Sequence, residues 1–147
     1  MSDLPTLPVT FRPGRTRAVL LSAAGAVFVV VSTIALLLDR LGPGERISFV
    51  LTAAMLSAVA LLLARPKVVA DETGVTVVNF ASTRRLEWAQ IVQVHLRVGD
   101  PWVFLDLSDG TSLAAIGIQP GIAKAQAVAD ARTLRALVEA RSGGPRD

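Results

Sequence analysis

Two apolar runs, residues 18–38 and 47–64, contain no charged side chain. At about 1.5 Å per helical residue they reach roughly 31 Å and 27 Å, close to the ~30 Å hydrocarbon core of a bilayer. The first half of the chain is therefore expected to cross a membrane twice. The connector 39–46, Asp-Arg-Leu-Gly-Pro-Gly-Glu-Arg, is short, charged and rich in helix breakers, which predicts an antiparallel helical hairpin.

Charge placement excludes the class that the bulk number suggests. The isoelectric point near 10.5 invites a nucleic-acid reading, but the basic excess is confined to the hairpin half. There Arg12, Arg15, Arg17, Arg40, Arg46 and Arg65 outnumber Asp3, Asp39 and Glu45 by three, which is the whole net charge of +3. From Lys67 onward nine basic residues meet nine acidic ones. Phosphate-backbone binding needs a basic stripe, and this neutral half has none, so no nucleic-acid partner is expected. The absence of cysteine removes disulfides, thiolate nucleophiles and Cys-type metal sites together.

Basic residues beside apolar spans bias which side stays in the cytoplasm. Arg12, Arg15 and Arg17 precede the first run, and Arg65 and Lys67 follow the second, with Arg84 and Arg85 beyond, whereas the connector carries only Arg40 and Arg46. The expected arrangement is a multi-pass protein of the cell membrane with both termini cytoplasmic. A cleaved signal peptide is the competing reading of the first run. It is too long for an h-region, lacks a clean small-x-small site, and is followed by a second span. Small residues at helical spacing, Ser22 with Ala26, Ala53 with Ser57 and Ala54 with Ala58, suit close helix packing within the hairpin and leave a homo-oligomer open. No ionisable residue lies within either run, so nothing marks an ion path or transport site. Residues 1–17, with Pro5, Pro8 and Pro13, read as a disordered lead-in.

After Pro66 the hydrophobic period changes from helical to two. Strands are predicted at Lys67–Ala70, 75–80, Thr83–Glu87, 91–98, 102–108 and 111–118. Gly74 is expected to supply a positive φ in the turn after Asp71, and Asp109-Gly110 is the strongest hairpin signal in the chain. In 91–98 the alternation puts Val92, Val94, Leu96 and Val98 on the inner face, with Gln93, His95 and Arg97 toward solvent. In 102–108 Val103, Leu105 and Leu107 point inward. Residues 121–141 turn helical, with Ala123, Ala127, Ala131, Leu134 and Val138 on one stripe. The domain boundaries are therefore a lead-in (1–17), a hairpin (18–64), a domain (67–141) and a flexible tail (142–147). The fold class is α+β: a two-helix transmembrane hairpin followed by an antiparallel β-barrel or sandwich closed by a C-terminal α-helix.

A run of antiparallel strands with one closing helix is the order of a pleckstrin-homology (PH)-like domain. The stretches Ala70-Asp71-Glu72-Thr73-Gly74-Val75, Leu86-Glu87-Trp88-Ala89-Gln90-Ile91, Pro101-Trp102, Leu105-Asp106-Leu107, Asp109-Gly110 and Ile118-Gln119 occur in order across about residues 67–138. In these the chain resembles the bacterial membrane-anchored PH-domain proteins of the low-molecular-weight protein antigen 6 family of actinobacteria. The resemblance implies a PH-like fold on a membrane tether and implies no chemistry. PH domains that bind phosphoinositides cradle phosphates with cations around the first hairpin, whereas here the matching turn, Asp71-Glu72-Thr73-Gly74, is acidic.

Four residues stand out as candidate binding residues. Arg84 and Arg85 form the one adjacent basic pair of the domain and could meet anionic headgroups. Trp102 and Phe104 fall opposite the inward set of their strand, where an exposed aromatic pair would suit protein docking. Trp88 reads as core or rim packing. No catalytic elbow, P-loop, zinc-helix motif or dinucleotide fingerprint is present, and His95 stands alone on the polar side of its strand. No enzyme, cofactor or metal is expected. The function expected is a binding or scaffold module at the cytoplasmic face that recruits an unidentified protein partner, the alternative being a lipid-contacting or membrane-structural role.

Overall fold

The computed structural model describes residues 4–142, and two compact units emerge: Thr16–Ala64, and the segments before and after it together. In the first unit α1 spans Gly14–Leu37 and α2 spans Pro43–Leu63. Each helix begins four residues ahead of the apolar run expected to form it. For α2 the reason is local. Gly42 is extended, Pro43 occupies the first helical position, where its missing N–H costs nothing, and the Glu45 carboxylate accepts from the Gly42 N–H at 2.9 Å. The Gly-Pro-Gly read as a breaker is a helix start. At the end of α1, Arg46 Nη2 donates to the Leu38 carbonyl at 3.2 Å.

The seam between the helices is built from small residues. Along α2 the less exposed positions Arg46, Val50, Ala53, Ser57 and Ala60 recur at alternating spacings of four and three, the pattern of two antiparallel helices packed at a shallow angle. Ala35 and Ala53 are the buried residues of the two helices, and Ser57 Oγ donates across to the Ala24 carbonyl at 3.3 Å. Of the three small-residue pairs predicted to pack, Ala53 with Ser57 lies in the seam, while Ser22 with Ala26 and Ala54 with Ala58 face outward. Both helices are long and apolar enough to cross a membrane, with mean hydropathies of 2.5 and 2.1.

The second unit begins before the hairpin. Val9–Phe11 forms β1, paired antiparallel with β2 (Lys67–Ala70) so that Val9 meets Ala70 and Phe11 meets Val68. This corrects the disordered lead-in: Phe11 is buried, and its strand supplies an edge that β2 would otherwise expose. Sheet A has the order β1-β2-β3-β4, with β3 at Gly74–Val78 and β4 at Thr83–Glu87. A 3₁₀ turn at Trp88–Gln90 leads to sheet B, β5 (Ile91–His95), β6 (Val103–Leu107) and β7 (Ser112–Ala115), all antiparallel. The closing helix α3, Lys124–Ser142, follows. Ser142 is its last residue, so the predicted tail loses that position, and the remainder of the tail lies outside the described residues.

The two sheets form a sandwich that does not close into a barrel. Val68, Val75 and Val77 of sheet A face Val94, Val103 and Leu105 of sheet B, each essentially inaccessible. Ala127, Ala131, Leu134, Leu137 and Val138 lay the apolar stripe of α3 over this core. Two local readings change. Gly74 has no positive φ; it is required because a Cβ there would stand 2.0 Å from the Leu86 carbonyl oxygen across the β3–β4 pair. In β5 a register shift between Ile91 and Gln93 turns both Ile91 and Val94 inward and throws Val92 out to solvent. Val98, also assigned inward, is fully exposed beyond the strand end. Gly110 adopts φ +87°, as its hairpin turn requires.

One polar side chain ties the sheets together at a corner. Asn79, just past β3, donates from Nδ2 to the Ala114 carbonyl at 2.8 Å and accepts through Oδ1 from the Ile116 N–H at 3.1 Å. It thereby satisfies two backbone groups at the end of β7.

Candidate functional site

The β2–β3 turn is where the acidic departure from phosphate-binding domains was read. Asp71 Oδ1 accepts from the backbone N–H groups of Thr73 and Gly74 at 2.9 and 3.0 Å, an Asx turn, and Oδ2 pairs with Arg85 Nη1 at 2.5 Å. Arg85 also donates to Thr76 Oγ1, its cross-strand neighbour. The Arg85 guanidinium, helped by the Thr73 N–H, holds the Asp71 carboxyl well below the usual carboxylate range. Glu72 pairs with Arg141 Nη1 at 3.0 Å, which pins the end of α3 to the turn. Trp88 is buried, as predicted, and its indole N–H donates to the Asp71 carbonyl at 3.1 Å. Both carboxylates of this turn are thus matched by arginines of the domain itself.

The candidate cations do not act as a pair. Successive residues of a strand point to opposite faces. Arg85 stands opposite Thr76 on the outer face of sheet A, engaged with Asp71, while Arg84 stands opposite Val77 and lends its charge to Asp109. Trp102 and Phe104 share the outer side of sheet B, and neither is fully exposed. Phe104 stacks on the His95 ring at 5.7 Å, and Trp102 Nε1 is out of solvent without a partner.

His95 departs from the solvent-facing position expected of it. Only 15% of its side chain is exposed, and its Nε2 lies 3.3 Å from Asp106 Oδ1, which also accepts a short hydrogen bond from Ser112. Ser112 first, then His95, lowers the Asp106 carboxyl below its ordinary value. The order is serine–carboxylate–imidazole. Base activation of a serine needs the imidazole next to the hydroxyl, and here the carboxylate stands between them. Among the described residues no group of three or more His, Asp or Glu is placed to hold a metal ion.

A groove runs along β5, the edge strand of sheet B, beside α3. It has a volume of about 310 Å³ and is lined by Val92, Gln93, Val94, Arg135, Val138 and Glu139. Arg135 Nε donates to the Val94 carbonyl at 3.1 Å, so the helix reaches the strand edge with a side chain, and Val92 stands 66% exposed at its mouth. Sequence reasoning missed this feature because it placed Val92 inside. The signal that could have exposed it is the Ile91-Val92 doublet, which an alternating strand can accommodate only through a bulge.

Residues 65–137 match the family model described as Bacterial PH domain. The domain of this chain belongs to that family. The match covers sheet A from β2 onward, sheet B and most of α3, so the PH domain includes the β2–β3 turn, the His95 cluster and the groove, while β1 lies before it. Uncharacterized proteins of Mycobacterium bovis and of two Mycobacterium tuberculosis strains are each similar at 31% identity over 84 residues, 57% of this chain and 54% of the relative. The chain spans about half the length of these curated relatives. No solved structure gives a significant match.

Proposed function

We propose that this chain is a membrane-tethered PH-like module that recruits a protein partner at the cytoplasmic face. Two helices of membrane-crossing length precede the PH domain. The pairing of β1 with β2 supports a double crossing, since the segments before α1 and after α2 belong to one sheet. The arginine-rich flanks favour the cytoplasm for that sheet. The observation that carries the recruiting role is the groove beside β5: with Arg135 already holding the Val94 carbonyl, the exposed valine at its mouth suits a partner segment that lies in the groove and lays an apolar side chain between Val92 and α3. Tethering raises the effective concentration of the module near other membrane proteins, so a short groove suffices. The paired carboxylates and arginines of the β2–β3 turn argue against a phosphoinositide-type headgroup site at that position.

The test uses the full chain in native membranes with the photoreactive p-benzoylphenylalanine at position 92 and, as a control, at position 129 on the exposed side of α3. A discrete protein adduct at 92 and none at 129 is expected. Adducts to lipid alone at 92 would replace the protein-partner role with the lipid-contacting alternative.

A further inference from the structure

The PH domain has one end through which the chain passes to and from the helices, and that end is identified by contacts within the domain itself. Gly117 lies so close to Lys67, the first residue of β2, that a Cβ at 117 would stand 2.5 Å from the Lys67 Cα. Arg12 and Pro13, which lead from β1 into α1, share a small crevice with Gly117, Gln119 and Ala123. The β5–β6 loop leaves sheet B at the same end, because Val103, the first residue of β6, pairs with Ala115 and donates its N–H to the Ile118 carbonyl at 3.0 Å. Three loops therefore lie at the end that carries both connections: the β3–β4 turn, where Val78 pairs with Lys67, the loop 96–102, and 119–123 before α3. The last two carry the exposed aliphatic tips.

Each of these two loops presents a bare aliphatic side chain. Val98 is 100% exposed and Ile122 is 60% exposed, and with Val92 they are the large hydrophobics the domain leaves in solvent beyond residue 65. Val98 follows Arg97, and Lys124 stands two residues after Ile122; both cations are exposed. Arg12, Arg65 and Lys67 lie on the connections at this end; its acids are Asp100, whose carboxylate accepts from the Arg97 N–H, and Asp130, which lines the same crevice as Arg12. Aliphatic tips flanked by cations have the composition of a surface that dips into the headgroup layer of an anionic bilayer.

We propose that Val98 and Ile122 insert into the membrane interface, with Arg97 and Lys124 on anionic headgroups, so that the PH domain sits on the bilayer by its connection end. This rests on the tether reading above and adds an orientation to it. The docked end leaves the β5–α3 groove free, since Val92 lies at the opposite end of β5 from the β5–β6 loop.

The chain has no cysteine, so single thiols report cleanly. Full-length chains carrying Val98→Cys, Ile122→Cys, Val92→Cys or Val29→Cys, labelled with bimane, are reconstituted in vesicles of phosphatidylglycerol and phosphatidylcholine in equal parts. The vesicles include lipids bearing a nitroxide at the headgroup or along the acyl chain. The proposal expects a blue shift and loss of emission at 98 and 122 with headgroup and shallow nitroxides, weakened by salt and by omitting phosphatidylglycerol. It expects quenching by deep nitroxides at 29 and none at 92. Quenching at 29 without quenching at 98 and 122 would overturn the docked orientation and leave the tether intact. Equal quenching at 92, 98 and 122 would also overturn it. No quenching at 29 would overturn tether and orientation together.

Discussion

Asp71 shows how a single side chain decides what a turn can bind. Its carboxyl is depressed chiefly by Arg85, so its folded-state pKa lies below the unfolded value of about 4. A depressed acid contributes stability that is present in full above the unfolded value and is lost as pH falls through the folded one. Arg85→Ala removes the largest cause: the Asp71 titration, followed by its carboxyl carbon resonance, should move up toward the ordinary range, and acid unfolding should begin at higher pH. An unmoved titration would assign the depression to the Asx turn alone. Gly74 poses a steric counterpart. A Cβ at that position meets backbone, so Gly74→Ala should cost ~1–3 kcal/mol in a denaturation midpoint. Gly25→Ala, with nothing within 4 Å, should be tolerated. The sequence made Gly74 and the acidic turn visible as features but not their reasons: the partner of Asp71 is fourteen residues away and the neighbour of Gly74 is Leu86, both across strands. His95 was misplaced for a similar reason, because its companions Phe104, Asp106 and Ser112 come from two other strands.

Elements whose partners are local were legible, and those with distant partners were not. β2, β4 and α3 carry their own periodicity and turn residues, and they appear where the pattern put them, α3 beginning a few residues late. β1 has three residues and no turn, and its partner lies beyond the whole hairpin, so no window of sequence could reveal it. The β5 bulge was hidden by the valines, which fit an alternating strand equally well in either register. The existence of β1 revises what counts as an autonomous domain. Residues 67–141 alone leave the β2 edge open and the Phe11 site empty, so that fragment should unfold more easily than a chain joining residues 4–15 to 65–142 through a short flexible linker. Chemical denaturation of the two should differ by a few kcal/mol, since removing a buried phenylalanine alone costs about 3 kcal/mol or more. Equal stability would reduce β1 to an ornament of the sheet.

At the scale of the molecule, the sheet imposes a condition on topology that charge counting alone cannot. β1 precedes both helices, β2 follows them, and they are paired, so a chain that crosses the membrane must bring both flanks to one side. The hairpin and the PH domain were recognisable in the sequence because apolar length and strand alternation are bulk properties. The groove, the corner made by Asn79 and the exposed loop tips are matters of packing and stayed out of reach. The central claim, a PH domain held at the inner face by a double crossing, is tested most directly by three single cysteines in intact cells: Thr6→Cys before β1, Gly44→Cys in the first turn of α2, and Ser142→Cys at the end of α3. With an impermeant thiol reagent, labelling is predicted at position 44 alone, and at 6 and 142 only after permeabilisation. Labelling of 142 but not 44 in intact cells would invert the orientation, and labelling that separates 6 from 142 would contradict the account outright.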